Sequence, residues 1–197
     1  AGDKPAVISA IRKRYLTEGR REVVTAAMDI TAGAGISRGP RNILAHAYAA
    51  LPIGITVEGA NILTRSLIIF GQGAVRCHPY VKEEMAAVAA KDVARFDRAF
   101  FGHMGFVAAN AARSLALALT GGRAARPAVP EPVAGYLGRF TRMSTAFALT
   151  ADVAMATLGG QLKRREKLSG RLADALAWLY IGSATVKKFW DDGRPRE

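Results

Sequence analysis

Helical apolar periodicity, sustained over long segments and broken only at Gly- and Pro-bearing positions, constrains this 197-residue chain more than any other feature. Val7, Ile8, Ile11, Tyr15, Val23, Val24, Ala27 and Met28 recur at three- and four-residue intervals, so 1–30 reads as one helix. Pro5 suits its first turn, and Gly19 weakens it without ending it. The same reasoning predicts helices over 42–50 (opened by Pro40 and closed by Pro52), 59–76, 80–90, 93–120 (capped by Asp92), 131–158 and 168–190. In the helix over 93–120, Phe96, Phe100, Phe101, Met104, Val107, Leu115 and Leu119 offer one face for burial. Residues 121–132, rich in Gly and Pro, form the clearest loop, and 191–197 read as a frayed polar tail. The few β-branched residues Ile55, Thr56 and Val57 make no alternating strand pattern. The expected fold class is all-α, with six or seven helices whose small residues permit close antiparallel packing.

Charge narrows the partners. Twenty-eight basic residues face sixteen acidic ones, a net charge of +12 with a sequence pI near 10.4. Such a balance favours nucleic acid, anionic lipid or a polyanionic substrate. The basic clusters, at 12–14, 20–21 and 163–167, are not interleaved with the stacking aromatics that single-strand binders use, which argues against nucleic acid. No uncharged apolar run reaches the roughly 18–20 residues of a membrane span; Pro52 breaks one candidate, and Asp152 interrupts the apolar stretch around Phe147 and Val153. No signal-peptide pattern opens the chain. Cys77 stands alone, which excludes an internal disulfide and suits a reducing compartment, so the expected location is the cytoplasm.

Candidate chemistry concentrates in 55–76, ITVEGANILTRSLIIFGQGAVR. Glu58 precedes Gly59, which permits a ligand to approach the backbone closely. The first turn of the following helix offers unpaired N–H groups. Ile62, Leu63, Leu67, Ile68 and Phe70 are expected to anchor that helix in a core. Two readings of Glu58 stand side by side: a general base on a glycine hinge, or an acid that merely complements the helix dipole. Elsewhere little points to chemistry. His46, His78 and His103 lie on separate elements without ligand spacing, so no metal site is expected. Ser37 and Ser66 lack an activating partner, and there is no phosphate-binding Walker loop.

The same residues carry a family resemblance. Val57-Glu58-Gly59 followed by Ala60-Asn61-Ile62-Leu63-Thr64-Arg65 resembles the acyl-CoA dehydrogenase signature in which Glu-Gly-Thr starts the last helix. Upstream, Ala27 to Gly35 is similar to that family's Gln-x-x-Gly-Gly-x-Gly loop. The phrases from Ile55 to Ile69, Gly73 to Pro79 and Leu158-Gly159-Gly160 to Glu166 resemble most the bacterial long-chain, FadE-type branch. The resemblance implies an antiparallel C-terminal helical bundle over 1–76, its start truncated, and a further helical extension over 77–197. The N-terminal helical domain and middle β-domain of such enzymes would lie outside this chain.

It also implies an activity: FAD-dependent α,β-dehydrogenation of fatty acyl-CoA to trans-2-enoyl-CoA, as in fatty acid β-oxidation. Glu58 would abstract the α-proton, and Gly59 would lie against the substrate. Ala60, Asn61 and Ile62 would lie beside the flavin, while Asp29, Ala32 and Gly33 would approach the FAD of a neighbouring subunit in a homo-oligomer. An electron-transfer flavoprotein would accept the electrons. Three positions depart from the pattern: Asp29 replaces Gln, Ala32 replaces the first Gly of a pair, and Ala60 replaces Thr. The isolated chain is expected to be inactive, since most of both pockets would lie elsewhere. Peripheral contact with the inner face of the cell membrane is compatible with the basic extension. The competing reading is a basic α-helical module that binds membrane or RNA without catalysis.

Overall fold

A computed structural model describes residues 5–193, and among them there is no strand. Helix α1 (Ala6–Thr31) runs unbroken through Gly19, with Pro5 one position earlier than expected, at the N-cap. Short helices α2 (Gly33–Ile36), α3 (Leu44–Ala49) and α4 (Leu51–Thr56) follow. Here the expectation that Pro52 closes a helix is corrected. Pro52 sits in the first turn of α4, where its missing N–H is not needed. Ile55 and Thr56 are accordingly helical, not extended.

After Val57 the chain turns through Glu58 and Gly59 and enters a rod with three parts: α5 (Asn61–Leu63), a π-helical stretch (Thr64–Gln72) and α6 (Gly73–Cys77). Then come α7 (Val81–Ala90), α8 (Val93–Leu119), α9 (Val133–Leu158) and α10 (Glu166–Asp191), with single 3₁₀ turns at Arg123–Ala125 and Gly159–Lys163. Asp92 caps α8 as its sequence suggests, accepting a 2.9 Å hydrogen bond from the Arg95 N–H. Tail residues 194–197, like 1–4, lie outside the described residues.

The core forms where the rod meets α1, α9 and α10. Ile69 and Phe70 of the rod are fully buried with Ile11, Ala151, Ala154, Leu172, Ala173 and Ala177. Small residues on α10 make the approach close: Ser169, Ala173 and Ala177 have no exposed surface at all. Gly170 faces the Arg65 guanidinium so closely that a Cβ there would lie 2.5 Å from Nη1. Arg65 in turn grips Asp174 with Nε (2.9 and 3.0 Å) and Nη2 (2.5 Å), and Arg14 of α1 reaches the same carboxylate at 3.2 Å. Helices α1 and α10 and the rod are thus tied through one acid.

Several apolar faces expected to be buried are not. Ile62 and Leu63 are exposed, so only the later residues of the rod anchor it. Phe100, Phe101, Met104, Leu115 and Leu119 of α8 are exposed too, as is Val23 of α1; Leu16 and Ile30 add to the exposed apolar surface of α1. These stripes keep helical spacing but stay largely exposed among the described residues, and patches of that kind mark contact surfaces. No single helix among the described residues is long and apolar enough to cross a membrane; only the pair Leu44–Thr56 and Asn61–Cys77, bent by 42°, passes by length and composition.

The packing yields two expected outcomes in denaturant titrations. Ala173→Leu overfills the α10 seam and should cost about 1–3 kcal/mol. Asp174→Ala, which leaves the Arg14 and Arg65 side chains, 19% and 30% exposed, without their shared acceptor, should cost about 1–3 kcal/mol.

Candidate functional site

The Glu58 turn is strained and internally braced. Glu58 has φ +54° and Gly59 φ +86°. The left-handed region is natural for glycine but costs a side-chain-bearing residue energy, and such outliers gather at functional positions. Lys13, on α1, holds the turn from behind. Its Nζ donates to the carbonyl of Gly59 (2.7 Å), to Asn61 Oδ1 (2.7 Å) and, more weakly, to the carbonyl of Ile55 (3.4 Å). The Asn61 amide donates to Thr17 Oγ1 (2.9 Å) and Glu18 Oε1 (2.8 Å). Thr64 Oγ1 closes the turn on the Gly59 carbonyl at 3.3 Å.

Against this bracing, the reactive atoms are free. The Glu58 carboxylate is exposed and, among the described residues, has no hydrogen-bond or ion-pair partner. Its backbone N–H is likewise unpaired there. One residue thus offers an unengaged carboxylate and an unengaged amide donor at the surface.

The structure sorts the sequence-predicted residues into two places. Glu58, Gly59, Ala60, Asn61 and Ile62 share the turn, but Asn61 is buried and its side chain is committed to α1, leaving only its backbone available outward. Ile62 is exposed and Ala60 half-buried. Asp29, Ala32 and Gly33 are exposed at the far end of α1. Asp29 lies sixteen positions beyond Lys13 on that helix, a distance of about 24 Å at 1.5 Å per residue. The chain does not bring the two groups together.

The distal loop nevertheless holds a defined shape. Ala32 adopts φ +47°, a glycine-type conformation, at the place where the resembled family has glycine. Asn42 Nδ2 fastens the loop by donating to the carbonyls of Ala34 (2.9 Å), Gly35 (2.7 Å) and Ser37 (2.9 Å). Beside it lies a recess of about 730 Å³ between Thr31 and Leu44.

A second polar centre escapes sequence reasoning altogether. His78, just before α7, His103 on α8 and Asp152 on α9 place a ring nitrogen or carboxylate oxygen within 4.8 Å of one another. His78 Nε2 lies 2.9 Å and His103 Nε2 3.6 Å from Asp152 Oδ1, and His103 Nδ1 lies 2.8 Å from Glu84 Oε1. The His78 and Asp152 side chains are only 8% and 5% exposed. His78 Nδ1 accepts from the amides of Tyr80 (3.2 Å) and Val81 (3.1 Å), capping α7 and placing the ring proton on Nε2, toward Asp152. Burial pushes the His78 imidazole below its ordinary range, opposed by the neighbouring Asp152 carboxylate and reinforced by His103. His103 Nε2 and Asp152 Oδ2 are buried without a hydrogen-bond partner among the described residues. The visible hint in the sequence is Asp152 itself, a carboxylate in an otherwise apolar stretch of helix. Glu84, His103 and Asp152 line one end of an apolar cavity of about 550 Å³, walled by Val75, Met85, Met104, Val107 and Met155 and also touched by Lys163.

Fold and site together define an all-helical module that presents one carboxylate on a strained, glycine-hinged turn. The family described as acyl-CoA dehydrogenase, C-terminal, bacterial type, matches residues 75–197, and the chain belongs to it. The match covers more than half of the chain and lies C-terminal to Glu58. Enzymes of the acyl-CoA dehydrogenase family are oxidoreductases that generally use FAD. No solved structure matches the chain.

Two substitutions probe the braced turn. Lys13→Met leaves the Gly59 carbonyl and Asn61 Oδ1 short of a charged donor and should cost about 1–3 kcal/mol, with faster amide exchange confined to the turn. Gly59→Ala meets no hard clash, its nearest neighbour being Thr64 Oγ1 at 3.5 Å, so it should cost only the left-handed penalty of about 1–2 kcal/mol.

Proposed function

We propose that this chain supplies the catalytic base of a flavin-dependent acyl-CoA dehydrogenase that forms trans-2-enoyl-CoA from fatty acyl-CoA. The observation that carries the reading is Glu58: a strained, braced residue whose carboxylate and backbone N–H are both unengaged. An α-proton of a thioester is weakly acidic, and a carboxylate removes it efficiently only if the developing enolate oxygen meets fixed donors. Glu58 offers both partners from one residue, the carboxylate for the proton and its amide for the enolate oxygen. Gly59 lets the thioester come close to the backbone. Bound FAD would supply the hydride acceptor for the β-carbon.

The residues at hand are compatible with a flavin. Ala60 and Ile62 leave an uncharged surface beside Glu58, and Asn61 contributes backbone only. At the other end of α1, Ala32 and Gly33 keep a glycine-like turn, with Asp29 exposed near it. The two groups are too far apart to touch one flavin ring. They fit instead a homo-oligomer in which each chain's distal loop meets its neighbour's FAD. None of the main cavities among the described residues includes Glu58, so the acyl and flavin pockets would be completed by other parts of the enzyme. The exposed apolar stripes of α1 and α8 are suitable docking faces for such parts.

Residues 1–76 would then be the bundle portion that carries the base, and 77–197 the extension that buttresses it through α10. Arg164, Arg165, Lys167 and Arg171 line one shallow recess, which supports peripheral contact of the cytoplasmic enzyme with the anionic inner face of the cell membrane. An electron-transfer flavoprotein would receive the electrons.

In the assembled enzyme, Glu58→Gln should retain flavin and lower substrate-driven flavin reduction by about 10²–10⁴-fold, read by stopped-flow bleaching of the flavin band. Near-normal reduction would refute the assignment. A basic binding module without catalysis would instead show vesicle or RNA binding that weakens steeply with salt, and no flavin reduction in any assembly.

A further inference from the structure

We propose that His78, His103 and Asp152, backed by Glu84, form a binding site for one divalent transition-metal ion of the zinc or ferrous class. The inference is independent of the dehydrogenase reading, because the cluster lies on α8, α9, α7 (through Glu84) and the turn before α7, and includes no residue of the Glu58 turn.

Three observations carry it. The first is convergence: residues from three separate elements place two imidazole nitrogens and a carboxylate oxygen within 4.8 Å of one another. Ligands on a common ion with bonds of about 2.0–2.2 Å sit roughly 3.4 Å apart in a tetrahedral shell. The 2.9 Å and 3.6 Å separations from Asp152 Oδ1 bracket that value.

The second is unsatisfied chemistry. Asp152 Oδ2 and His103 Nε2 are buried with no hydrogen-bond partner among the described residues, and buried polar atoms in native proteins are rarely left so. A cation answers both at once, accepting a lone pair from each. It also offsets the charge of two carboxylates, Asp152 and Glu84, enclosed within one cluster.

The third is orientation from outside the shell. Glu84 Oε1 lies 2.8 Å from His103 Nδ1, so the ring donates there and keeps its Nε2 lone pair directed toward Asp152. A carboxylate holding the far nitrogen is the usual support of a metal-bound histidine. His78 is arranged differently. Its Nδ1 accepts from the Tyr80 and Val81 amides, so its proton rests on Nε2. His103 and Asp152 are therefore preset ligands, whereas His78 joins only when its proton shifts to Nδ1 and the two cap bonds are given up. Ion binding is thereby coupled to release of the first turn of α7. His103 and Asp152 also line the 550 Å³ cavity, which leaves room for water or a small ligand. Two histidines and one carboxylate with open positions are a donor set that suits zinc or ferrous iron.

The test uses the protein as its gene encodes it, dialysed against chelator and then titrated with zinc, with cobalt as a spectroscopic stand-in, and anaerobically with ferrous iron. Elemental analysis should return one ion per chain, and cobalt should give the visible bands of a low-coordinate site. Comparison of the zinc and ferrous arms assigns the ion. Glu84→Gln should weaken binding by about 10- to 100-fold, and His103→Ala or Asp152→Asn should abolish it. Amide exchange at Tyr80 and Val81 should quicken on loading. Should a ligand variant fail to fold, the wild-type stoichiometry and this exchange response decide the matter alone. No ion retained by the wild-type protein at saturating zinc or ferrous iron would overturn the proposal, leaving a hydrogen-bonded network only. Undiminished binding by a folded His103→Ala/Asp152→Asn double variant would overturn it equally.

Discussion

The structure depends on how closely α10 can lie against the rod that follows Glu58. A helix seam this tight requires side chains that occupy almost no space, and Ser169, Gly170, Ala173 and Ala177 supply them on one face. Dispersion and apolar burial then act over the whole contact, because Ile69 and Phe70 share one cluster with the small residues of α10 and with Ile11, Leu172 and Phe147, the last meeting the Phe70 ring edge-on at 6.0 Å. The Arg65–Asp174 fork adds direction to this packing. Being half-exposed, it fixes the rotation of the rod about its axis more than it adds stability. With that rotation fixed, the turn preceding the rod has a fixed outlook as well.

The turn is where stability is given up. Two consecutive left-handed residues, one of them Glu58, would relax in a free peptide. They persist because Lys13 draws the Gly59 carbonyl and the Asn61 side chain onto α1 while the rod is pinned from the other side. Strain maintained in this way leaves the carboxylate and the amide of Glu58 without internal obligations. A base that must collect a proton from a bound thioester requires that freedom. The C-terminal portion therefore has a mechanical part in the proposed chemistry although it contributes no atom to it.

Much of this is visible in the sequence, and the exceptions have physical causes. Periodicity locates every long helix, since α1, α8, α9 and α10 all repeat apolar residues at helical spacing. Local chemistry is less decisive at boundaries: Pro52 can close one helix or open the next, and only the tertiary course of the chain decides. Ile55 and Thr56 follow their helical context against their β-branched preference. The π-helical register of Thr64–Gln72 has no sequence signal that separates it from an α-helix. Helical spacing also misjudges burial on α1 and α8, because it marks which face is apolar and says nothing of what covers it. Glu58 is legible as a candidate because it sits beside Gly59, whereas its brace, Lys13, is not, being one of many scattered cations. The His78–His103–Asp152 cluster is hidden for the opposite reason. Ligand spacing along a chain detects sites built on one element, and this one is assembled by α8, α9 and the turn before α7 from residues distant in sequence.

On this reading α10 and the π-helical rod form one mechanical unit that holds the Glu58 turn in place. Native-state hydrogen exchange of the backbone amides at low denaturant measures this most directly. Amides of Thr64–Gln72 and those around Ser169–Ala177 are expected to exchange with the same opening free energy and the same denaturant dependence, as members of one cooperative unit. Retained protection of Thr64–Gln72 after α10 has opened would contradict it, because the rod would then hold its shape without the helix said to clamp it.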